Sequence, residues 1–272
     1  MSKPGDINPG STGAPVTPTT PVPIPTGADA PRFILVFGGT FDPPHKGHID
    51  LPVRVRDELD RRSGALGAAG SGGGAGGWLL YVPAARSPLK QDNPIASDAD
   101  RRHMLELALA EAGTVRASIW TDELDRAAAA LNAGQPQPPS YTVDTLGRLR
   151  SWIDERGLGG TQLRLLIGAD QAASFHRWRQ PRDVLRLAQP VVMVRGGIET
   201  EKELTGEIRE TGFWTVREIA SWAGWVVPVG RLDVAATQIR QALIAGNPGA
   251  IDALIPHAVA MFIRERRLYS PH

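Results

Sequence analysis

Two histidines stand three residues apart in the segment Gly38-Gly39-Thr40-Phe41-Asp42-Pro43-Pro44-His45-Lys46-Gly47-His48. Imidazoles can donate hydrogen bonds to oxyanions, and paired glycines let a backbone approach a bulky ligand. The segment follows an apolar run, Phe33-Ile34-Leu35-Val36-Phe37, which reads as a buried strand. A helix is expected to begin near Gly47. A helix N-terminus after a strand is where open α/β sheets gather phosphate groups. The chemistry indicated is the handling of a phosphate, with His45 and His48 stabilising charge. Asp42, ahead of Pro43, reads as a turn residue, and Lys46 as solvated.

The elements that must position these residues follow from periodicity. Buried strands are expected at 33–37, 78–82, 115–120, 163–167, 190–194 and 225–229. Helices are expected at about 47–62, 100–112, 143–156, 237–245 and 257–267. Strands alternating with helices at this spacing argue an α/β fold with a doubly wound parallel sheet. Residues 1–31 hold eight of the chain's 23 prolines and few large apolar side chains, so they read as a disordered tail, with the folded domain spanning 32–272. Gly64 to Gly77 reads as a flexible insertion. It lacks the lysine and hydroxyl residue of a P-loop. Residues 127–139 read as an irregular insertion. Arg101, Arg102 and Glu106 fit a solvated helix face.

Composition narrows the function classes. The chain has 272 residues, 42% of them hydrophobic, enough for a substantial core. Thirty Lys and Arg against 29 Asp and Glu leave a formal charge of +1, so no general attraction to nucleic acid is expected. Cysteine is absent, which excludes disulfides and thiolate metal sites and fits a reducing cytoplasm. Neither a secretory signal nor a membrane span is expected.

Segments further along give the first motif its context. Pro139-Ser140-Tyr141-Thr142 precedes a helix carrying Asp144-Thr145-Leu146. Ile167-Gly168-Ala169-Asp170 is followed by Phe175 and Trp178. Thr237-Gln238-Ile239-Arg240 opens the penultimate helix. In this order the motifs resemble the HxGH nucleotidyltransferase superfamily and, within it, bacterial nicotinate-nucleotide adenylyltransferases, from about residue 32 to the C-terminus. The resemblance implies a Rossmann-like nucleotidyltransferase fold with a small C-terminal helical part. It also implies transfer of AMP from ATP to nicotinate mononucleotide, with Mg²⁺ arriving on the ATP. It casts His45, His48 and Arg240 as catalytic. Gly38, Gly39, Thr40, Phe41, Gly47, Gly168, Asp170, Thr237 and Arg240 become ATP-binding residues. Lys90, Ser140, Tyr141, Thr142 and Trp178 become acceptor-binding residues. No resident metal site is implied, and homo-oligomerisation is left open.

Each residue also has a plainer reading. Asp170, Thr237 and the Ser140/Thr142 pair are plausible helix caps. Trp178 could be core, and Arg240 an exposed helix arginine. The chain departs from the family pattern at Ala235, where a serine is usual, and at Leu89, where a histidine is usual. Those departures keep two alternatives alive: another acceptor (nicotinamide mononucleotide or phosphopantetheine), and a non-catalytic nucleotide-binding module.

Overall fold

A computed structural model describes residues 20–63, 76–86, 93–194, 198, 200–230, 232 and 234–270. In chain order the main elements are β1 (Phe33–Gly39), α1 (Lys46–Arg62), β2 (Trp78–Pro83), α2 (Asp98–Glu111), β3 (Ala117–Ile119), α3 (Asp122–Asn132), α4 (Thr142–Glu155), β4 (Gln162–Gly168), α5 (Ala169–Ala173), α6 (Pro181–Leu187), β5 (Gln189–Met193), α7 (Glu201–Glu210), α8 (Val216–Gly224), β6 (Val226–Val227), α9 (Ala236–Ile244) and α10 (His257–Arg266). The six strands are all parallel, in the order β3-β2-β1-β4-β5-β6. The chain winds outward twice from the centre, so β1 and β4 meet at the topological switch point, where ligands bind in such sheets. The expected doubly wound α/β fold is what the chain forms.

Both faces of the sheet are buried, which is why its strands read as continuous apolar runs. Ile34 and Val36 join a core with Leu146, Leu149 and Ile153 of α4, Val184 of α6, and Trp214 and Trp222. Phe33, Leu35 and Phe37, one residue out of phase, face a second core with α1, α2, α9 and α10. The two C-terminal helices cover this second face, and the Glu111 carboxylate accepts from the first backbone N–H groups of α10 at 2.8 and 2.6 Å.

Three expectations are corrected. Residues 20–31 are not a disordered tail: Val22 and Ile24 are buried in the first core, and Thr20 accepts from the Trp120 indole and donates to Asp125. Alternating with prolines, these two side chains bury surface at a reduced ordering cost, because proline already restricts the unfolded chain. Residues 1–19 lie outside the described residues. Of the glycine-rich insertion, 64–75 also lie outside them; its last residue, Gly77, donates its N–H to Asp60 at 2.7 Å, and a Cβ there would collide with the Phe33 ring. The region 127–139 is helical as far as Asn132, because its alanines extend a helix with acidic residues in its first turn. Arg101 is fully buried rather than solvated, whereas Arg102 and Glu106 do form an exposed pair at 2.8 Å.

Candidate active site

The loop from β1 to α1 is built around Asp42. Its carboxylate accepts from the backbone N–H groups of Ile95 and Ala96 at 2.9 and 3.2 Å and from the Tyr269 hydroxyl at 2.6 Å. Its carbonyl accepts from Arg240 at 2.7 Å. One residue type satisfies three donors from two distant segments, so Asp42 is a structural keystone, in keeping with its reading as a turn residue. Burial, followed by the Asp42 charge, pushes the Tyr269 phenol far above its usual range, which keeps it a donor. Arg101 reaches the same loop, donating to the Thr40 carbonyl at 2.6 Å while paired with Asp98.

The loop delivers the two histidines to the first turn of α1. His45 is the N-cap residue, and its N–H donates to His48 Nδ1 at 3.3 Å. Because Nδ1 accepts, a neutral His48 carries its hydrogen on Nε2, the nitrogen able to donate outward. The rings stack with centroids 3.6 Å apart. Gly47 sits between them for a steric reason: a Cβ there would lie 3.1 Å from the His45 ring. Behind His48, Phe41 packs edge-on at 5.2 Å and Tyr81 donates to the His48 carbonyl at 3.0 Å. Phe41 holds a left-handed φ of 48°, and its buried side chain supports the imidazole from beneath. Gly39 gives that ring room, since a Cβ would meet it at 3.0 Å.

Beside this loop, at the C-terminal ends of β1 and β4, opens a cavity of about 630 Å³. Gly38, Gly39 and Thr40 line it together with Ser140, Tyr141, Thr142, Asp170 and Trp178. The structure therefore brings together, in one cavity, residues expected on the ATP side and on the acceptor side. His45, His48, Gly47, Gly168, Thr237 and Arg240 lie outside its lining. His45 is only 3% exposed; His48 and Arg240 are half-buried, and Thr237 is exposed. Arg240 also bonds the Thr237 hydroxyl at 3.2 Å, so the start of α9 is tied to the histidine loop. Lys90 and Leu89 lie outside the described residues.

The plain capping readings are mostly replaced. Tyr141, not Ser140 or Thr142, occupies the N-cap position of α4. Ser140 instead accepts from the N–H groups of Ala85 and Arg86, fastening its segment to the loop after β2. Gly168 rather than Asp170 caps α5, bonding Gln171, while Asp170 is exposed at the cavity. Ala235 caps α9 in place of Thr237, without a side-chain bond. Trp178 stacks on buried Phe175 at 4.5 Å, so it is part core and part cavity wall.

Sequence reading passed over three charged cavity residues. Glu123 is buried, accepts from Thr145 at 2.5 Å, and burial pushes its carboxyl above the usual range despite that bond. Arg177 and Arg179 flank Trp178 at the cavity edge. The Arg-Trp-Arg triplet was the available signal for the last two; nothing local marked Glu123. Among the described residues no three His, Asp or Glu side chains converge to hold a metal ion.

Known proteins resemble this chain. Residues 36–242 match the cytidylyltransferase-like family model. A Chromobacterium violaceum protein named "Probable nicotinate-nucleotide adenylyltransferase" is 32% identical over 86% of this chain and 97% of its own length. A Laribacter hongkongensis protein of the same name is 35% identical over 88% and 96%. The solved Plasmodium falciparum nicotinic acid mononucleotide adenylyltransferase complexed with NaAD shares the fold, with a TM-score of 0.52 over 87% of this chain and 96% of that one at 13% identity. Sheet order, histidine loop and these matches agree, and the chain belongs to the nicotinate-nucleotide adenylyltransferase family of cytidylyltransferase-like proteins.

Proposed function

We propose that this chain transfers the adenylyl group of ATP to nicotinate mononucleotide, giving nicotinate adenine dinucleotide and pyrophosphate. The observation that carries the reading is the stacked His45–His48 pair beside a cavity walled by Tyr141 and Trp178. Family membership supports it.

The attacking group is the acceptor's own phosphate, largely ionised at neutral pH because its second pKa is about 6. An oxygen of that phosphate forms the new bond to the α-phosphorus of ATP as the bond to the bridging α–β oxygen breaks. Pyrophosphate leaves with the electron pair. No strong base is needed. The task is to bring anions together and stabilise the charge that builds on the α-phosphoryl oxygens. His48, with Nε2 as donor, and His45 beside it supply that stabilisation. Arg240 has N–H groups beyond those held by Asp42 and Thr237, and these face the departing polyphosphate in this reading. Gly38, Gly39, Thr40 and Gly47 let the nucleotide approach the backbone, with Gly168, Asp170 and Thr237 at its margins. The pyridine ring lies between Tyr141 and Trp178, near Ser140 and Thr142. Mg²⁺ comes bound to ATP; the described residues offer no cage for a resident ion. No described helix is long and apolar enough to cross a membrane, in keeping with work in the cytoplasm.

The test is pyrophosphate release with MgATP and each of three acceptors: nicotinate mononucleotide, nicotinamide mononucleotide and phosphopantetheine. The acid mononucleotide is expected to be the best. Release with none of them would favour a binding module, the reading to which Ala235 and Leu89 lend weight.

A further inference from the structure

Residues 20–31 precede the stretch matched by the family model, which begins at residue 36. They nevertheless reach the cavity end of the fold. At one end of the segment the Pro31 carbonyl accepts from the Thr161 hydroxyl at 2.8 Å, just ahead of β4. At the other end the Thr20 carbonyl accepts from the Trp120 indole at 3.2 Å, just after β3. Because the strands are all parallel, these two anchors lie at opposite ends of the sheet. Between them, exposed Pro21 and Pro23 alternate with buried Val22 and Ile24. That is the two-residue period of an extended chain laid on an apolar surface, and its prolines lack the N–H that a sheet ladder needs. Extended, residues 20–25 span about 20 Å, comparable to a strand of the sheet.

The far end of this strap meets the first turn of α3. The Thr20 hydroxyl donates to Asp125 at 2.6 Å, and the same carboxylate accepts from Thr121 at 2.7 Å. Thr121 is the N-cap residue of α3 but makes no side-chain capping bond, so contacts from elsewhere must place this turn. The turn carries two buried carboxyl groups, each committed to the next helix or the segment before it. Asp122 pairs with Arg148 of α4 at 2.7 Å. Glu123 accepts from Thr145 of α4 at 2.5 Å and from the Ser140 hydroxyl. Glu123, Ser140 and Thr145 all line the cavity. A continuous run of contacts therefore leads from Thr20 through α3 to the cavity wall.

We propose that Thr20, Val22 and Ile24 are positioning residues for the transfer reaction. They hold the start of α3 in place and, through Glu123, fix the cavity wall at 140–145. The inference rests on the adenylyl-transfer reading above, in which that wall faces the acceptor. Val22 and Ile24 key the strap into the first core, and Thr20 fastens its end to α3. None of the three touches a reacting group; their effect on turnover passes through α3.

The full chain is compared with Thr20→Val, Val22→Ala and the double variant Val22→Ser/Ile24→Ser. Ile263→Ala, at a buried position of α10 in the second core, is the control for lost stability alone. Hydrogen exchange of the free protein is measured, together with kcat and the KM values for nicotinate mononucleotide and MgATP. In the double variant, exchange is expected to quicken chiefly at 122–126 and 140–146, a pattern absent from Ile263→Ala. The acceptor KM is expected to rise about 10-fold, more than kcat or the MgATP KM changes, because remote misplacement of a positioning contact is felt at the substrate it places. Smaller effects of the same kind are expected in Val22→Ala and Thr20→Val, which carry both measurements if the double variant does not fold. Exchange that quickens evenly across the domain, or KM values for the two substrates that move together or not at all, would mean that the strap only adds stability and would overturn the proposal. A wild-type chain without turnover would sink the adenylyl-transfer reading instead. The exchange pattern would then decide the positioning alone: a local change at α3 and the wall supports it, and an even change overturns it.

Discussion

The chain leaves the middle of its sheet twice, after β1 and after β4, and builds the two exits in opposite ways. After β1 the backbone is clamped by side chains from far away: Arg101 on Thr40, Arg240 and Tyr269 on Asp42, Tyr81 on His48. After β4 it runs through a five-residue helix and a single 3-10 turn held by local bonds, with Asp170, Arg177 and Arg179 exposed. The contrast separates two tasks. In the proposed reaction the groups that stabilise transferred charge must not reorganise, which an overdetermined loop secures. The second exit walls the cavity with side chains at a rim, where fewer constraints suffice.

Substitutions can test whether the two exits differ in this way. The largest effect belongs to the histidine loop: His48→Ala should lower kcat by about 100- to 1,000-fold, as loss of an oxyanion donor does elsewhere. The melting temperature should change little, because the ring is half-buried. A folded variant with near-normal turnover would erase the distinction between the exits. Gly47→Ala should follow, since its Cβ would press on the His45 ring at 3.1 Å. The stack must shift, so kcat is expected to drop more than the acceptor KM changes.

The clamps should register in stability. Tyr269→Phe removes a buried donor to a carboxylate and should cost about 1.5–3 kcal/mol in denaturant unfolding, the range for hydrogen bonds to charged groups. On the cavity side, Glu123→Gln keeps an acceptor for Thr145 and removes an ionisable group whose folded pKa is raised. In the wild type a raised folded pKa means that the native state binds more protons, so stability is lost as pH climbs from the unfolded carboxyl value through the folded one. The variant's melting temperature relative to wild type should therefore improve across that window; a pH-independent difference would refute the buried-carboxyl account. The smallest effect is expected from Ala235→Ser, which supplies α9 with a capping hydroxyl and should add about 1 kcal/mol of stability.

The two exits also differed in how much of them could be read from sequence. The histidine loop was legible because strand pattern, glycines and imidazoles fall within one short stretch. Its clamps were not: Arg101 reads as one more polar helix residue, and Tyr269 stands 227 positions from Asp42. The six strands and helices α1, α2, α4, α9 and α10 followed from periodicity, while α3, α5 and α6 did not. Helices α7 and α8 escaped because few of their residues are apolar and buried, although the boxes Thr200–Glu203 and Thr215–Glu218 were available signals. Residues 20–31 were misjudged because composition weighs proline content and overlooks two well-placed aliphatics. Arg179 meets the Tyr141 ring only because the fold brings that residue, distant in sequence, beneath it.

The bonds from Arg240 and Tyr269 to Asp42 close loops of 198 and 227 residues. Contacts of such long range carry a high closure entropy and form late, once the rest of the domain has already brought the ends together. A partly folded chain can therefore own strand β1 and both imidazoles without the geometry that the proposed reaction needs. Competence for the reaction thus arrives with global folding rather than with assembly of the local motif, and activity in denaturant should disappear together with the native state.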